Sequence, residues 1–261
     1  MKLALVSLNQ IWENKISNLN CCRDYISEAR NFGAEMVIFP EMTLSGFSFN
    51  VDKMAEDAEN SESVKAFSSL AREFHIGIIF GMSAKIENGF QNQAVFINDV
   101  GDVINRYAKV HPFSMAGEDR VFQSGSFLAG GNFHGVNFGL SICYDLRFPE
   151  LFSALAQHHE ILVVIANWPA ARVDHWNTLL KARAIENQVF MVGVNRVGHD
   201  GKGLDYEKSS TIYDANGSKL MPLHSREELE IYEIDTSLTG QLKKTLNSVA
   251  DRRPELYRAW L

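Results

Sequence analysis

Apolar residues gather in runs of strand length along this chain: LALVSL (3–8), MVIFP (36–40), IGIIFGMS (76–83), AVFIN (94–98), VNFGLSIC (136–143), ILVVIAN (161–167) and VFMVGVN (189–195). Several are continuous rather than alternating. That pattern predicts strands buried on both faces, in a sheet with helices on one side and a second layer on the other. Between the runs the period changes to that of a helix. Residues 17–32 put Leu19, Cys22, Ile26 and Ala29 on one face, and residues 62–75 group Val64, Phe67, Leu70, Ala71 and Phe74. Two more helices are expected over 147–158, with Pro149 near its first turn, and over 175–187. The last third changes style. STIYDANGSKLM predicts two short strands around Asn216-Gly217, and LEIYEID one more. No Pro/Gly/Ser-rich linker interrupts the alternation, so residues 1–261 are expected to form one α/β domain.

Composition narrows the function. The chain is 46% hydrophobic and 22% charged, enough apolar residue for a sizeable core. Its net charge is −7 and no basic block appears, which argues against nucleic acid and anionic membrane partners. The N-terminal MKLALVSLNQIWEN has too short an apolar run to span a bilayer and lacks a small-residue cleavage site. Three cysteines without a secretory signal point to free thiols in a reducing cytoplasm. Eight scattered histidines form neither H-x-H nor H-E-x-x-H, and no P-loop or G-x-G-x-x-G occurs. Neither a catalytic metal nor a nucleotide cofactor is expected.

Four residues carry the chemistry. Cys143, in GLSICYDLRFPE, stands where a strand gives way to a helix. Such an elbow lifts a side chain above the sheet edge, where a helix dipole favours thiolate. Cys21 and Cys22 lie in an amphipathic helix and read as core. Glu41 follows the strand of FPEMTLSGF, Lys109 follows VINRYA, and Glu118 lies in the glycine-containing loop MAGEDR. Each alone reads as an ordinary surface or core residue. Together, carboxylate, ammonium and thiol at three strand ends are what covalent amide cleavage requires: a base, an oxyanion partner and a nucleophile.

The segments FPEMTLSGF, YAKVHPF and SICYDLRFPELF resemble the three signature segments of the nitrilase superfamily of carbon–nitrogen hydrolases. ANWPAARVDHWNTLLKARAIENQVFMVGVNRVG resembles the second half of that family, and CYDLRFPE with NWPA and ARAIENQ is most similar to its amidase branch, the bacterial ω-amidases. The resemblance implies a four-layer αββα sandwich that pairs as a homodimer. It also implies Glu41, Lys109 and Cys143 as a catalytic triad, with Glu118 as an additional active-site glutamate. The substrate it implies is a small carboxylate-bearing amide such as α-ketoglutaramate or succinamate, cleaved through a thioester. In that reading Lys109 and the backbone N–H of Tyr144 hold the oxyanion, and Lys109 stays charged and favours the thiolate. Arg147, expected in the first turn of the next helix, forks onto the far carboxylate unless it pairs with Asp145 or Glu150. Trp168 walls the methylene chain. The apolar tail of Leu256, Tyr257, Trp260 and Leu261 is expected to pack on the partner copy. A thiolate also attacks nitriles, so a nitrilase or a carbamoyl-amide hydrolase is the alternative. A redox sensor built on Cys143 is another, but it leaves Glu41 and Lys109 without a purpose.

Overall fold

The structure, a computed structural model, describes residues 1–260; Leu261 lies outside them. The apolar runs assemble into two sheets. The larger has eight strands, in the order His224–Arg226, Leu229–Glu233, Lys2–Val6, Met36–Ile38, Gly77–Ile86, Gly89–Ile97 and Val103–Ala108, with the short Glu56–Asp57 beside Gly77–Ile86. Its centre, Lys2–Val6 to Met36–Ile38 to Gly77–Ile86, is parallel. The smaller sheet runs Thr211–Tyr213, Phe190–Asn195, Ile161–Ala166, Val136–Ile142 and Gly130–Phe133, again parallel at its centre.

Alternation along each strand explains the layering, because successive side chains point to opposite faces. Ala4, Val37, Ile78 and Val95 of the larger sheet face outward, against Cys22, Ile26, Phe67 and Leu70 of helices Lys15–Asn31 and Glu62–Phe74. Their neighbours Leu3, Leu5, Ile38, Ile79 and Phe96 face inward and meet Leu140, Ile142, Val163, Ile165 and Val192 of the smaller sheet. On the far side Leu162, Val164 and Met191 pack against Leu155, Trp176 and Leu180 from helices Pro149–Leu155 and Val173–Asn187. The order is helix, sheet, sheet, helix: an αββα sandwich. Strands covered on both faces have no polar face to alternate with, so they read as continuous apolar runs.

Local signals set the helix starts. The Ser61 hydroxyl accepts the Val64 N–H at 3.1 Å, and the Asn14 side chain accepts the Ser17 N–H at 3.1 Å. Pro149 occupies the first turn of its helix, where a missing N–H leaves no gap.

Three expectations need correction. The helix expected over 147–158 begins only at Pro149 and ends at Leu155, because a proline steers the residue before it out of the helical region. Arg147 therefore precedes that helix rather than lying in its first turn. The second strand around Asn216-Gly217 shrinks to a single bridge, Tyr213 to Lys219. Pro222 follows closely and has no N–H to extend a ladder. The strands Gly130–Phe133 and His224–Arg226 carry glycine or polar residues and gave no hydrophobic signal.

Candidate active site

The strand Val136–Ile142 ends at Cys143, whose φ of +47° is left-handed. A residue with a Cβ pays roughly 1–2 kcal/mol to sit there, so surrounding contacts must hold it. A 3₁₀ turn, Cys143–Arg147, follows, rather than the α-helix whose dipole was expected to favour thiolate. Asp145, fully buried, ties the turn together. One oxygen accepts the Ile142 N–H at 2.9 Å and the Tyr107 hydroxyl at 2.8 Å. The other accepts the His111 N–H at 2.9 Å and lies 2.8 Å from His111 Nδ1. Tyr107 and His111 bracket Lys109 in sequence, so this one carboxylate registers the lysine's segment against the cysteine's.

Glu41, Lys109 and Glu118 meet in the interior; the two glutamates are 0% exposed and the lysine 1%. Lys109 Nζ donates to Glu41 Oε1 and to Glu118 Oε2, both at 2.8 Å, and lies 5.4 Å from the centre of the Phe47 ring. Asn92 Nδ2 bridges the same two carboxylates, at 2.7 Å and 2.8 Å. Glu118 Oε2 also accepts the Phe113 N–H at 2.6 Å. Two buried carboxylates can stay close only if such donors offset their repulsion.

Asn167, just past the strand Ile161–Ala166, joins this group to the cysteine. Its N–H donates to Glu41 Oε2 at 2.9 Å, its side-chain amide donates to the Glu41 carbonyl at 2.7 Å, and its own carbonyl accepts Cys143 Sγ at 3.8 Å. Lys109, Cys143 and Asn167 each sit one step beyond the end of a strand, and Glu41 three residues beyond one. In layered α/β sheets that is where functional side chains converge.

Charge balance fixes the resting state. Burial alone would push the Lys109 ammonium down, but the attraction of Glu41, Glu118 and Cys143 outweighs it and holds the lysine well above its ordinary value. It stays charged, as expected. The thiol does not follow expectation. Burial, reinforced by Glu41 and Glu118, pushes Cys143 well above the ordinary thiol range, and the opposing pull of Lys109 is too small to reverse it. That balance favours the neutral thiol in the free site. A bare thiolate would add a second net negative charge to a buried group that already carries one.

Above the cysteine opens a cleft of about 360 Å³. Phe47, Phe113, Tyr144, Trp168 and Tyr206 line it, with Cys143 and Asn167 at its floor. Trp168 is fixed through Asn195, whose side chain accepts the Trp168 N–H at 2.7 Å and donates to its carbonyl at 2.8 Å. Three cations line the same walls: Arg147, Arg172 and Lys202. Arg147 forms neither of the ion pairs weighed for it. Its guanidinium lies 4.8 Å from the Trp168 ring centre and 3.3 Å from His175 Nδ1. Asp145, one candidate partner, is committed to the contacts above.

All seven residues singled out in the sequence are thus in one place: Glu41, Lys109 and Glu118 beneath the cleft, Cys143 at its floor, and Tyr144, Arg147 and Trp168 around it. Asn92, Asn167, Arg172 and Lys202 escaped notice. Asn92 did leave a signal, a polar side chain inside the strand Gly89–Ile97, where a buried amide must have partners. Cys22 is fully buried among apolar side chains and Cys21 partly so, as read from the helix pattern. No group of three or more His, Cys, Asp or Glu among the described residues is arranged to hold a metal ion, and no helix among them is long and apolar enough to cross a membrane.

Comparison with known proteins shows the family. A family model described as carbon–nitrogen hydrolase matches residues 2–244. An ω-amidase of Yersinia enterocolitica, YafV, is 33% identical over 221 residues, covering 83% of this chain and 82% of that protein. A 2-oxoglutaramate amidase of Bacillus subtilis is 29% identical over 238 residues, covering 90% of this chain and 91% of that protein. Among solved structures, XC1258 of Xanthomonas campestris, a CN-hydrolase superfamily protein with an arsenic adduct in its active site, superposes with a TM-score of 0.87. It is 28% identical, with 97% of each chain covered.

Proposed function

This chain belongs to the carbon–nitrogen hydrolase family and is an amidase of the nitrilase superfamily, and we propose that residues 1–261 act as one unit that hydrolyses a small amide bearing a carboxylate at its far end. The carrying observation is the cleft. Arg147, Arg172 and Lys202 line it, and none of them forms an ion pair with a carboxylate among the described residues. Cations kept unpaired beside a nucleophile invite an anionic substrate. The relatives named as an ω-amidase and a 2-oxoglutaramate (α-ketoglutaramate) amidase support the same class, for which succinamate is a simple test substrate.

The mechanism follows from the resting charges. Glu41 takes the Cys143 proton as the sulfur attacks the amide carbon, so the negative charge moves within the buried group and none is added. Lys109 and the N–H of Tyr144 hold the oxyanion. Each such preorganised donor is typically worth about 3–4 kcal/mol of barrier. Glu41 then returns the proton to the departing nitrogen, ammonia leaves, and a thioester remains. Water activated by Glu41 or Glu118 attacks the thioester, expels the sulfur and gives the acid.

On this reading Arg147 forks onto the far carboxylate, with Trp168 as the apolar wall. The test is a panel of mono-amides of dicarboxylic acids beside neutral amides of equal size, scored for ammonia release. Acidic amides should lead. Arg147→Lys should raise KM for succinamate more than for butyramide, because a point charge cannot replace the planar fork. Equal rises for both, or a wild-type preference for neutral amides, would remove the assignment.

A further inference from the structure

Lys202 sits at the tip of a small flap, the paired strands Gly198–His199 and Asp205–Tyr206. The flap is organised in detail. Buried Asp200 accepts the N–H groups of Lys202 at 2.8 Å and Leu204 at 2.9 Å, and the hydroxyl of Tyr206 at 2.9 Å. Fully buried Arg196 donates to the His199 carbonyl at 2.8 Å and stacks on the Tyr206 ring at 4.7 Å. Both glycines beside the lysine are required: a Cβ on Gly201 would stand 2.4 Å from the Trp12 ring, and Gly203 has a φ of +81°.

All this structure presents one amine. Lys202 Nζ lies 3.8 Å from the centre of the Phe49 ring and 5.1 Å from that of Phe47, and its side chain lines the cleft. It makes no ion pair among the described residues. Burial lowers its hold on the proton, against the pull of Asp200 and Glu118. Asp200 already accepts three donors, and Glu118 is bonded to Lys109, Asn92 and Phe113. An aromatic shelf under an ammonium steadies it but leaves its outer N–H groups unspent. Arg147 rests on Trp168, a different wall of the cleft, and is engaged with His175.

We propose that Lys202 is a specificity-determining residue, the second cation of the cleft, which closes on the anionic end of the substrate from the Phe47–Phe49 side. The proposal rests on the acidic-amide reading above and extends it, since it names the flap as the element that recognises charge. A carboxylate arriving there meets an ammonium already seated on its aromatic shelf, so less ordering is left to do on binding.

The test compares kcat/KM for succinamate with that for butyramide in wild type, Lys202→Met and Lys202→Arg. Loss of one charge-assisted contact corresponds to about a tenfold change. Lys202→Met should lower the succinamate-to-butyramide ratio about tenfold and raise the inhibition constant of succinate similarly, while Lys202→Arg keeps most of both. A wild type that prefers succinamate, with both quantities unchanged in Lys202→Met, overturns the role of Lys202 and leaves the acidic-amide reading standing. A wild type with no preference for succinamate overturns both.

Discussion

Cys143 gains its meaning from what surrounds it. A cysteine alone is most often an inert core residue, and Cys22 is one: it is fully buried among the apolar side chains of the helix core, lines no part of the cleft, and burial lifts its thiol well above the ordinary range. Cys143 is lifted too, but Glu41 is within electrostatic reach and can take its proton. The difference between the two thiols is the neighbour, not the pKa. Replacing Cys143 by Ala or Ser should abolish ammonia release and leave the melting temperature nearly unchanged, since the side chain faces a cleft. Cys22→Ala should do the reverse, keeping activity while losing roughly 1–2 kcal/mol from the helix core. Substantial turnover by Cys143→Ala would remove the covalent mechanism. Lys109 admits an equally sharp test. Lys109→Met keeps the stem and deletes the charge, and kcat should fall by at least ~10², as for the loss of an oxyanion donor. Its buried glutamates would then face each other across Asn92 alone, so a thermal melt should be recorded beside the kinetics. Near-normal kcat would make the lysine a structural counter-ion.

At the scale of elements, the site depends on how closely the strands allow their ends to approach. Gly81, within Gly77–Ile86, lies directly beneath the catalytic segment: a Cβ there would stand 2.4 Å from the Met42 nitrogen and 2.8 Å from the Glu41 Cα. Its N–H donates to the Thr43 hydroxyl at 3.0 Å, and its carbonyl accepts the Thr43 N–H at 2.9 Å. Gly81→Ala should therefore push Glu41 out of register and cost about 10² in kcat, the scale expected for a misplacement of about 1 Å. KM should change less, because most of the cleft walls, Phe113, Tyr144, Trp168 and Tyr206, come from other segments. An unchanged kcat would mean that the Glu41 loop adapts. The sequence made the apolar central strands, the four outer helices and three of the strand-end residues legible, because continuous apolar runs and helical periodicity survive without knowledge of the partner layer. It hid what depends on long-range contact. Asn92 and Asn167 each act by bridging groups distant in sequence, Glu41 and Glu118 for Asn92, Glu41 and Cys143 for Asn167. Lys202 stands between two glycines in HDGKGLDY and carries no periodic or motif signal of its own. The elbow also misled in one respect: Pro149 starts the helix and holds Phe148 extended before it, so Cys143–Arg147 is a separate 3₁₀ turn and Arg147 falls outside the helix.

At the scale of the whole molecule, the C-terminal tail bears on assembly. After Leu229–Glu233 the chain runs back over the Val173–Asn187 helix. Arg252 donates to the Glu186 carbonyl and to the Asn187 side chain, both at 2.8 Å, and Gln188 donates to the Leu246 carbonyl at 2.6 Å. These bonds anchor the tail by its backbone and its arginine, not by its apolar residues. Tyr257 stays 43% exposed and Trp260 72%, and both belong to the short helix Pro254–Trp260. Leu246 and Ile185, which flank the anchoring contacts in sequence, are also exposed, at 61% and 46%. Leaving large apolar side chains in water forgoes roughly 1.5–3 kcal/mol each, which an adjoining surface would recover. A short exposed helix anchored just before its start, with its aromatic residues in solvent, suits a self-complementary contact across a two-fold axis. Light scattering at micromolar concentration should therefore give twice the chain mass of 29.4 kDa. Replacing Tyr257 and Trp260 together by Ser should shift the mass toward one chain while leaving circular dichroism unchanged, since neither side chain is buried within its own subunit. A wild-type mass of one chain under those conditions would leave the exposed helix unexplained and defeat the dimer.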